Sequence, residues 1–177
     1  MELSRNKLLE RLHRLDEDAD FSFDTEERFL LVIVGGGALI LQRYIARATH
    51  DVDAISVSPA LLNLLGKYDI NCQVQAYINN FPYNFEDRLV PLFQGRRIDF
   101  YTASLEDIVI AKLYALRPAD IADIASEEVL SRIDWTTLER LATSDNEAKA
   151  SALNTRGYLD FLCNYNEYVG RYRPCEN

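Results

Sequence analysis

The chain has 177 residues, 48% of them hydrophobic, and a formal net charge of −9. That length suits one domain, or a small domain with a helical extension, and the apolar content excludes a disordered chain. The negative charge argues against a protein that coats DNA or RNA, so we do not expect DNA binding. A nucleotide substrate stays open, because a divalent cation can bring phosphate to an acidic site.

The cysteines and the longest apolar stretch indicate the cellular compartment in which we expect the protein. Cys72, Cys163 and Cys175 have no metal-ligand spacing, and an odd number without a secretory signal is typical of reduced thiols. The longest apolar stretch begins at Phe29, is interrupted by glycines and is too short to span a bilayer. We therefore expect a cytoplasmic protein with no membrane partner.

The first elements follow one another as helix, strand, glycine turn, helix and strand. Leucine spacing predicts an amphipathic helix over residues 4–15, and the acidic segment 16–24 is typical of turns. The apolar run Phe29–Val34 predicts a buried strand, and after three glycines Ala38–Ile45 has helical composition. Alternation with β-branched residues predicts a strand over Asp51–Val57.

The remaining pattern divides at Thr102. Before it we predict a helix at 59–67 and strands at 72–78, 89–93 and 97–101. After it we predict helices at 105–116, 119–130, 136–142 and 155–168, the first capped by Ser104 with Asp107 at its third position. The predicted class is α+β: a mixed β-sheet flanked by helices at residues 1–102, then a helical region at 103–177 that packs on this core.

Three carboxylates are candidates for a metal site. Asp51 and Asp53 are two residues apart on a predicted strand, so both side chains point to one face. Asp99 lies between Ile98 and Phe100 on a later strand, and convergence of all three requires that strand to pair beside the first. Such a cluster suits two Mg²⁺ ions in phosphoryl or nucleotidyl transfer. The alternative is that Asp-x-Asp is an ordinary exposed pair on a surface strand.

The glycines Gly35, Gly36 and Gly37 are candidates for phosphate binding. Glycine lets the backbone approach a ligand, and N–H groups at the start of a helix attract phosphate. A dinucleotide-binding fingerprint fails because Ile40 stands where its third glycine would be, and a P-loop fails because it lacks the lysine. The alternative is a tight turn between strand and helix.

In order and spacing, these pieces resemble the polymerase-β-type nucleotidyltransferase superfamily. The matching segments are Val34-Gly35-Gly36-Gly37, Asp51-Val52-Asp53-Ala54 and Ile98-Asp99-Phe100. The family's glycine pair corresponds to Gly35-Gly36 or to Gly36-Gly37. The serine often found in that turn is replaced by glycine, so phosphate contact there would come from backbone N–H groups.

Two further segments resemble the bacterial abortive-infection, or toxin-type, nucleotidyltransferases. One is Arg47-Ala48-Thr49-His50-Asp51-Val52-Asp53, in which Arg47 would pair with a phosphate or an acid and Thr49 would orient Asp51. The other is Lys112 followed by Arg117, Asp120 and Asp123. The resemblance implies that Lys112 reaches the triphosphate and that Asp120 contacts this lysine or a base. The alternatives are a loop salt bridge with a turn cap, and a solvated helix face.

Three hypotheses remain. The first is a Mg²⁺-dependent nucleotidyltransferase that moves a nucleotide from an NTP to an unknown hydroxyl acceptor in RNA, protein or a small molecule, with toxin function and an antitoxin partner as one version. The second is a catalytically silent protein of this fold that binds a nucleotide or a partner. The third is a helical interaction protein whose motif match is accidental. It predicts that Asp51, Asp53 and Asp99 do not cluster, and an Asp99 far from the acid pair would support it against the first two.

Overall fold

The computed structural model describes residues 3–24, 26–49, 51–56, 58–72, 78–144, 146–148 and 155–174. The chain forms two compact units. The first comprises Met1–Ala76 and Leu89–Ala103, and the second comprises Tyr77–Arg88 and Ser104–Asn177. The last division between the units falls between Ala103 and Ser104, one residue after the boundary predicted at residue 102.

The first unit contains a mixed sheet. Its strands are β1 (Phe29–Val34), β2 (Val52–Ser56), β3 (Ile70–Asn71), β4 (Val90–Gln94) and β5 (Ile98–Thr102). The spatial order is β3-β2-β1-β5-β4; β1 is antiparallel to β2 and parallel to β5. With the helices that accompany it, this sheet confirms the predicted α+β class. Residues 73–77 of the strand predicted over 72–78 lie outside the described residues.

One face of the sheet forms the core of this unit. Leu31, Ile33 and Phe100 share that face and are almost fully buried. Phe100 stacks on Phe93 with ring centroids 4.4 Å apart, and Phe93 is 4.4 Å from the ring of His13. The helix α1 (Arg5–Ser22) therefore packs on this face. Each such buried apolar side chain stabilises the fold by about 1.5–3 kcal/mol.

The helix α1 extends well beyond the predicted residues 4–15, so the turn predicted at 16–24 is wrong. The reason is the position of Asp16, which is 5% exposed. Its carboxylate accepts hydrogen bonds from the backbone N–H groups of Arg96, Arg97 and Ile98 at 2.7–2.9 Å. An acid with three donors is satisfied inside the protein, so the helix continues through it.

The helix α2 (Gly35–Leu41) begins and ends earlier than the predicted Ala38–Ile45. Of the glycines Gly35, Gly36 and Gly37, all of which belong to α2, only Gly35 has a positive φ, +62°, so the turn from strand to helix is made at this first residue. The helix ends before Arg43, whose φ of 63° is left-handed. The third helix of this unit is α3 (Pro59–Lys67).

The second unit is helical. After a 3₁₀ turn at Phe85–Arg88 its helices are α4 (Leu105–Ala115), α5 (Pro118–Ile124), α6 (Glu127–Leu130), α7 (Trp135–Thr143) and α8 (Thr155–Tyr172). The predicted Ser104 cap is confirmed: its hydroxyl accepts from the N–H of Asp107 at 3.1 Å and donates to the carboxylate of Asp107 at 2.7 Å. The single helix predicted over 119–130 is two helices, because Ser126 is extended between them.

Among the described residues, every helix is too short or too polar to cross a membrane.

Candidate active site around Gly35 and Asp53

Asp53 and Gly35 meet where β1 ends. The β1–β2 register pairs Val34 with Asp53, and Gly35 follows directly as the first residue of α2. A Cβ atom added to Gly35 would lie 3.4 Å from Asp53 Oδ2. Because Gly35 has a left-handed φ and no side chain, the backbone turns beside this carboxylate. The predicted proximity of the glycine segment and the acid pair is therefore present for this pair of residues.

A third strand contributes Asn71, which sequence reasoning missed. The β2–β3 register pairs Asn71 with Asp53, and its side-chain amide donates to Asp53 Oδ1 at 3.0 Å. This bond fixes the orientation of the carboxylate. Burial raises the pKa of the neighbouring Cys72 thiol, and the negative charge of Asp53 raises it further. No motif marks Asn71 in the sequence, since its role depends on a two-residue edge strand.

Asp51 and the loop before it are positioned by Thr49. Asp51 is exposed and immediately precedes β2. The Thr49 side chain is 9% exposed, and its hydroxyl donates to the backbone carbonyl of Asp51 at 3.1 Å. Thr49 also forms a two-way backbone bridge with Leu3, at 2.8 and 3.2 Å. The predicted hydrogen bond from Thr49 to Asp51 is thus present, through the main chain.

The other residues predicted to contact phosphate are Gly36, Gly37 and Arg47. Gly36 and Gly37 lie inside α2, and a Cβ on Gly37 would make ordinary contact with Ile33 at 3.5 Å. Only Gly35, of the three, needs the freedom of glycine for its φ. Arg47 is exposed, and its guanidinium donates to the Ala48 carbonyl at 3.1 Å.

Asp99 does not join the acid pair, so the predicted convergence is wrong. The condition for convergence is not met, because β5 pairs with β1 and not with β2; Asp99 lies on the same sheet face as Asp53, but its register partner is Leu30. Val34 is four residues after Leu30, about 13 Å along the strand. Asp99 instead accepts two hydrogen bonds from Arg28, at 2.5 and 3.1 Å. That guanidinium also donates to the carbonyls of Gly95 and Arg96, which ties the ion pair to the β4–β5 turn.

Lys112 lies in the second unit within a buried ionic network. Its ammonium donates to Asp120 at 2.6 Å and to Asp123 at 2.9 Å, and all three side chains are at most 6% exposed. Arg117 adds a second cation at 2.6 Å from Asp120. The contact implied between Asp120 and the lysine is present. The alternative of a solvated helix face is wrong, because the network is buried.

The network also sets the ionisation of Asp120. Burial by itself would raise the pKa of this carboxyl group, but the hydrogen bonds from Arg117 and Lys112 outweigh burial and lower the pKa below its ordinary value. Two of the three ammonium hydrogens of Lys112 are used by carboxylates. These contacts support a structural role for Lys112, and its contact with a triphosphate stays a prediction.

The carboxylates of Asp51 and Asp53 suit a magnesium ion that has few protein ligands. Among the described residues there is no group of three or more His, Cys, Asp or Glu side chains that could bind a metal. Asp51 and Asp53 nevertheless supply hard oxygen donors, and Mg²⁺ is commonly bound by one or two carboxylates together with substrate phosphates. The pair therefore suits an ion that arrives with a nucleotide.

A mixed sheet with a glycine turn beside an acid of the next strand is consistent with a nucleotidyltransferase-like α+β fold. The chain belongs to the family described as "Nucleotidyltransferase of unknown function (DUF6036)", whose model matches residues 10–173. The match extends beyond the motifs to the last helix, α8, which argues against an accidental motif match, although that hypothesis predicts the observed separation of Asp99 from the acid pair. No curated protein and no solved structure matches the chain.

Proposed function

We propose that this protein is a Mg²⁺-dependent nucleotidyltransferase that transfers a nucleoside monophosphate from an NTP to a hydroxyl acceptor. The observation that supports it best is the position of Gly35 beside Asp53 at the end of β1, where a Cβ added to the glycine would lie 3.4 Å from the carboxylate. A backbone turn without a side chain, beside a carboxylate oriented by Asn71, would let a phosphate approach the main chain next to an oxygen donor for a metal ion. The family match supports the same class of activity.

Asp51 and Asp53 are the residues that would bind Mg²⁺. The ion would neutralise phosphate charge and bring the triphosphate to a chain whose net charge is −9. We propose one ion at this pair. The second ion implied by the resemblance would need another ligand, and Asp99 is committed to Arg28.

The proposed reaction exchanges one bond to phosphorus for another. The acceptor hydroxyl oxygen bonds to the α-phosphorus, the bond from that phosphorus to the bridging oxygen breaks, and pyrophosphate leaves with the bonding electrons. The hydroxyl proton is released. The protein's part is to align the nucleotide, with phosphates beside Gly35, and to keep the Asp53 carboxylate fixed.

The second candidate is a silent protein of this fold that binds nucleotide without transfer. The observation in its favour is the position of Asp99, because a two-ion reaction uses a third carboxylate.

The acceptor separates two versions of the first candidate: a toxin that modifies RNA or protein and is neutralised by an antitoxin, and an enzyme that modifies a small molecule.

The test is a transfer assay with α-phosphate-labelled NTPs, Mg²⁺ and three acceptor pools: total RNA, cell protein and small molecules. We expect label in one pool with wild type and none with Asp53→Asn. The matched control is Asp160→Asn, which removes an exposed acid from α8. Mg²⁺-dependent NTP binding without label in any pool would favour the silent protein, and equal labelling by Asp53→Asn would contradict the proposed site.

A further inference from the structure

A basic pocket lies between α1 and the end of α3, apart from the acid pair. Its volume is about 390 Å³, within the range of small-molecule sites. Four cations line it: Lys7, Arg11, Arg14 and Lys67. The two acids that line it are each near an arginine of the pocket, with Glu10 2.8 Å from Arg14 and Asp69 3.9 Å from Arg11. Among the residues that line the pocket, cations therefore outnumber acids by four to two, in a chain of net charge −9.

The pocket is preorganised by hydrogen bonds that cross from α1 to the end of α3. The Arg11 guanidinium donates to the Tyr68 carbonyl at 2.9 Å, and the Tyr68 hydroxyl donates to the Arg14 carbonyl at 3.1 Å. The Arg11 side chain is only 15% exposed. Lys7 and Lys67 are exposed, and within the described residues neither has a hydrogen bond or ion pair. Two cations are thus available to a ligand in a site whose walls are fixed.

The pocket is connected to both segments that deliver the acid pair. Its residue Leu3 bridges to Thr49, two residues before Asp51. Its residue Asp69 lies two residues before Asn71, the partner of Asp53. A ligand in the pocket would therefore be bound at the same edge of the sheet as the proposed nucleotide site.

We propose that this pocket binds a phosphate ester of nucleotide size, as a second phosphate site separate from the acid pair. The lysines would contact the phosphate as point charges, while Arg11 maintains the wall. The volume distinguishes an ester from a bare anion, because inorganic phosphate would fill only a small part of it. Binding at this site needs no metal, since the protein itself supplies the positive charge.

The experiment is calorimetric titration in EDTA, which removes the metal-dependent site from the measurement. The probes are a nucleoside monophosphate, inorganic phosphate and a short single-stranded oligonucleotide. The variants are Lys7→Ala/Lys67→Ala and the control Arg156→Ala/Arg171→Ala, which removes the same charge from the exposed face of α8. Thermal unfolding verifies that each variant is folded, and Arg11→Lys is a second variant that keeps the charge but loses the fixed guanidinium.

We expect the monophosphate to bind wild type and the control equally, and the lysine variant about tenfold or more weakly. Binding should also weaken as salt rises. Tighter binding of the oligonucleotide than of the monophosphate would support the proposal and identify a nucleic-acid strand as the source of the phosphate. Absence of binding, equal loss in the control, or inorganic phosphate binding as tightly as the ester would overturn it. Because EDTA and a monophosphate exclude the transfer reaction, failure here is distinct from failure of the proposed function.

Discussion

Gly35 approaches Asp53 so closely that a Cβ atom on the glycine would lie 3.4 Å from the carboxylate oxygen Oδ2. This contact joins the end of β1 to β2, and the hydrogen bond from Asn71 joins the same carboxylate to β3. The carboxylate thus occupies a position determined by three consecutive strands of the sheet.

Gly35→Ala should destabilise the protein. The residue has φ +62°, where an alanine costs about 1–2 kcal/mol, whereas the added methyl group would make only ordinary contact with Asp53. The control is Gly66→Ala in α3, where an added Cβ meets nothing within 4 Å and helix propensity favours alanine. Urea unfolding measures both. A Gly35→Ala variant as stable as the Gly66→Ala variant would contradict the strained geometry.

Gly95→Ala should destabilise the β4–β5 turn. A Cβ there would lie 2.6 Å from Asp16 Oδ2. It would displace the carboxylate from the three backbone N–H groups that donate hydrogen bonds to it. Overpacking of this kind costs about 1–3 kcal/mol. Asp16→Ala, which leaves these donors without their acceptor, should cost a similar amount. Gly170→Ala is the control, as its added Cβ would meet open space; unfolding midpoints that do not distinguish Gly95→Ala from this control would refute the argument.

Lys112→Met should destabilise the second unit strongly. It removes the ammonium that pairs with both Asp120 and Asp123. The two buried carboxylates then lack this positive charge, which costs about 3–5 kcal/mol of stability. The triple variant Lys112→Met/Asp120→Asn/Asp123→Asn should recover much of this stability, because the buried charges are gone. Thermal unfolding measures the recovery. If Lys112→Met unfolds like wild type, the lysine is free for another role such as phosphate contact.

The stability contributed by Asp120 should depend on pH. Its pKa in the folded protein is lowered from an ordinary value of 3.8, so the unfolded state takes up a proton first as the pH falls. The contribution is therefore complete above about pH 4–5 and is lost as the pH falls through the folded pKa. In urea unfolding, the stability difference between wild type and Asp120→Asn should narrow below about pH 4. A difference that stays constant to pH 2 would argue against an ionised Asp120.

The sequence predicts those features of the fold and site that depend on local pattern. The apolar run of β1, the alternation of β2 and the Ser104 cap each follow from a few adjacent residues, and all three are found. The proximity of Gly35 to Asp53 also follows, because a short helix between two paired strands brings their ends together.

Features that depend on register or on distant contacts were predicted wrongly or missed. Asp99 lies on a strand as predicted, but β5 pairs with β1 and not with the strand of the acid pair, and no local pattern specifies that pairing or its alignment. Asp16 reads as part of a polar turn, and only the backbone donors of the β4–β5 turn, some eighty residues away, explain its place inside a helix. Asn71 depends in the same way on a strand pairing at the sheet edge.

We propose that Asp53, and not Asp99, belongs to the nucleotide site. Calorimetric titration of an NTP in the presence of Mg²⁺, with wild type, Asp53→Asn and Asp99→Asn, tests this assignment. We expect Asp53→Asn to weaken Mg²⁺-dependent NTP binding by about tenfold or more, which corresponds to about 1.4 kcal/mol, and Asp99→Asn to bind like wild type. Loss of binding in Asp99→Asn, with binding retained in Asp53→Asn, would contradict the account.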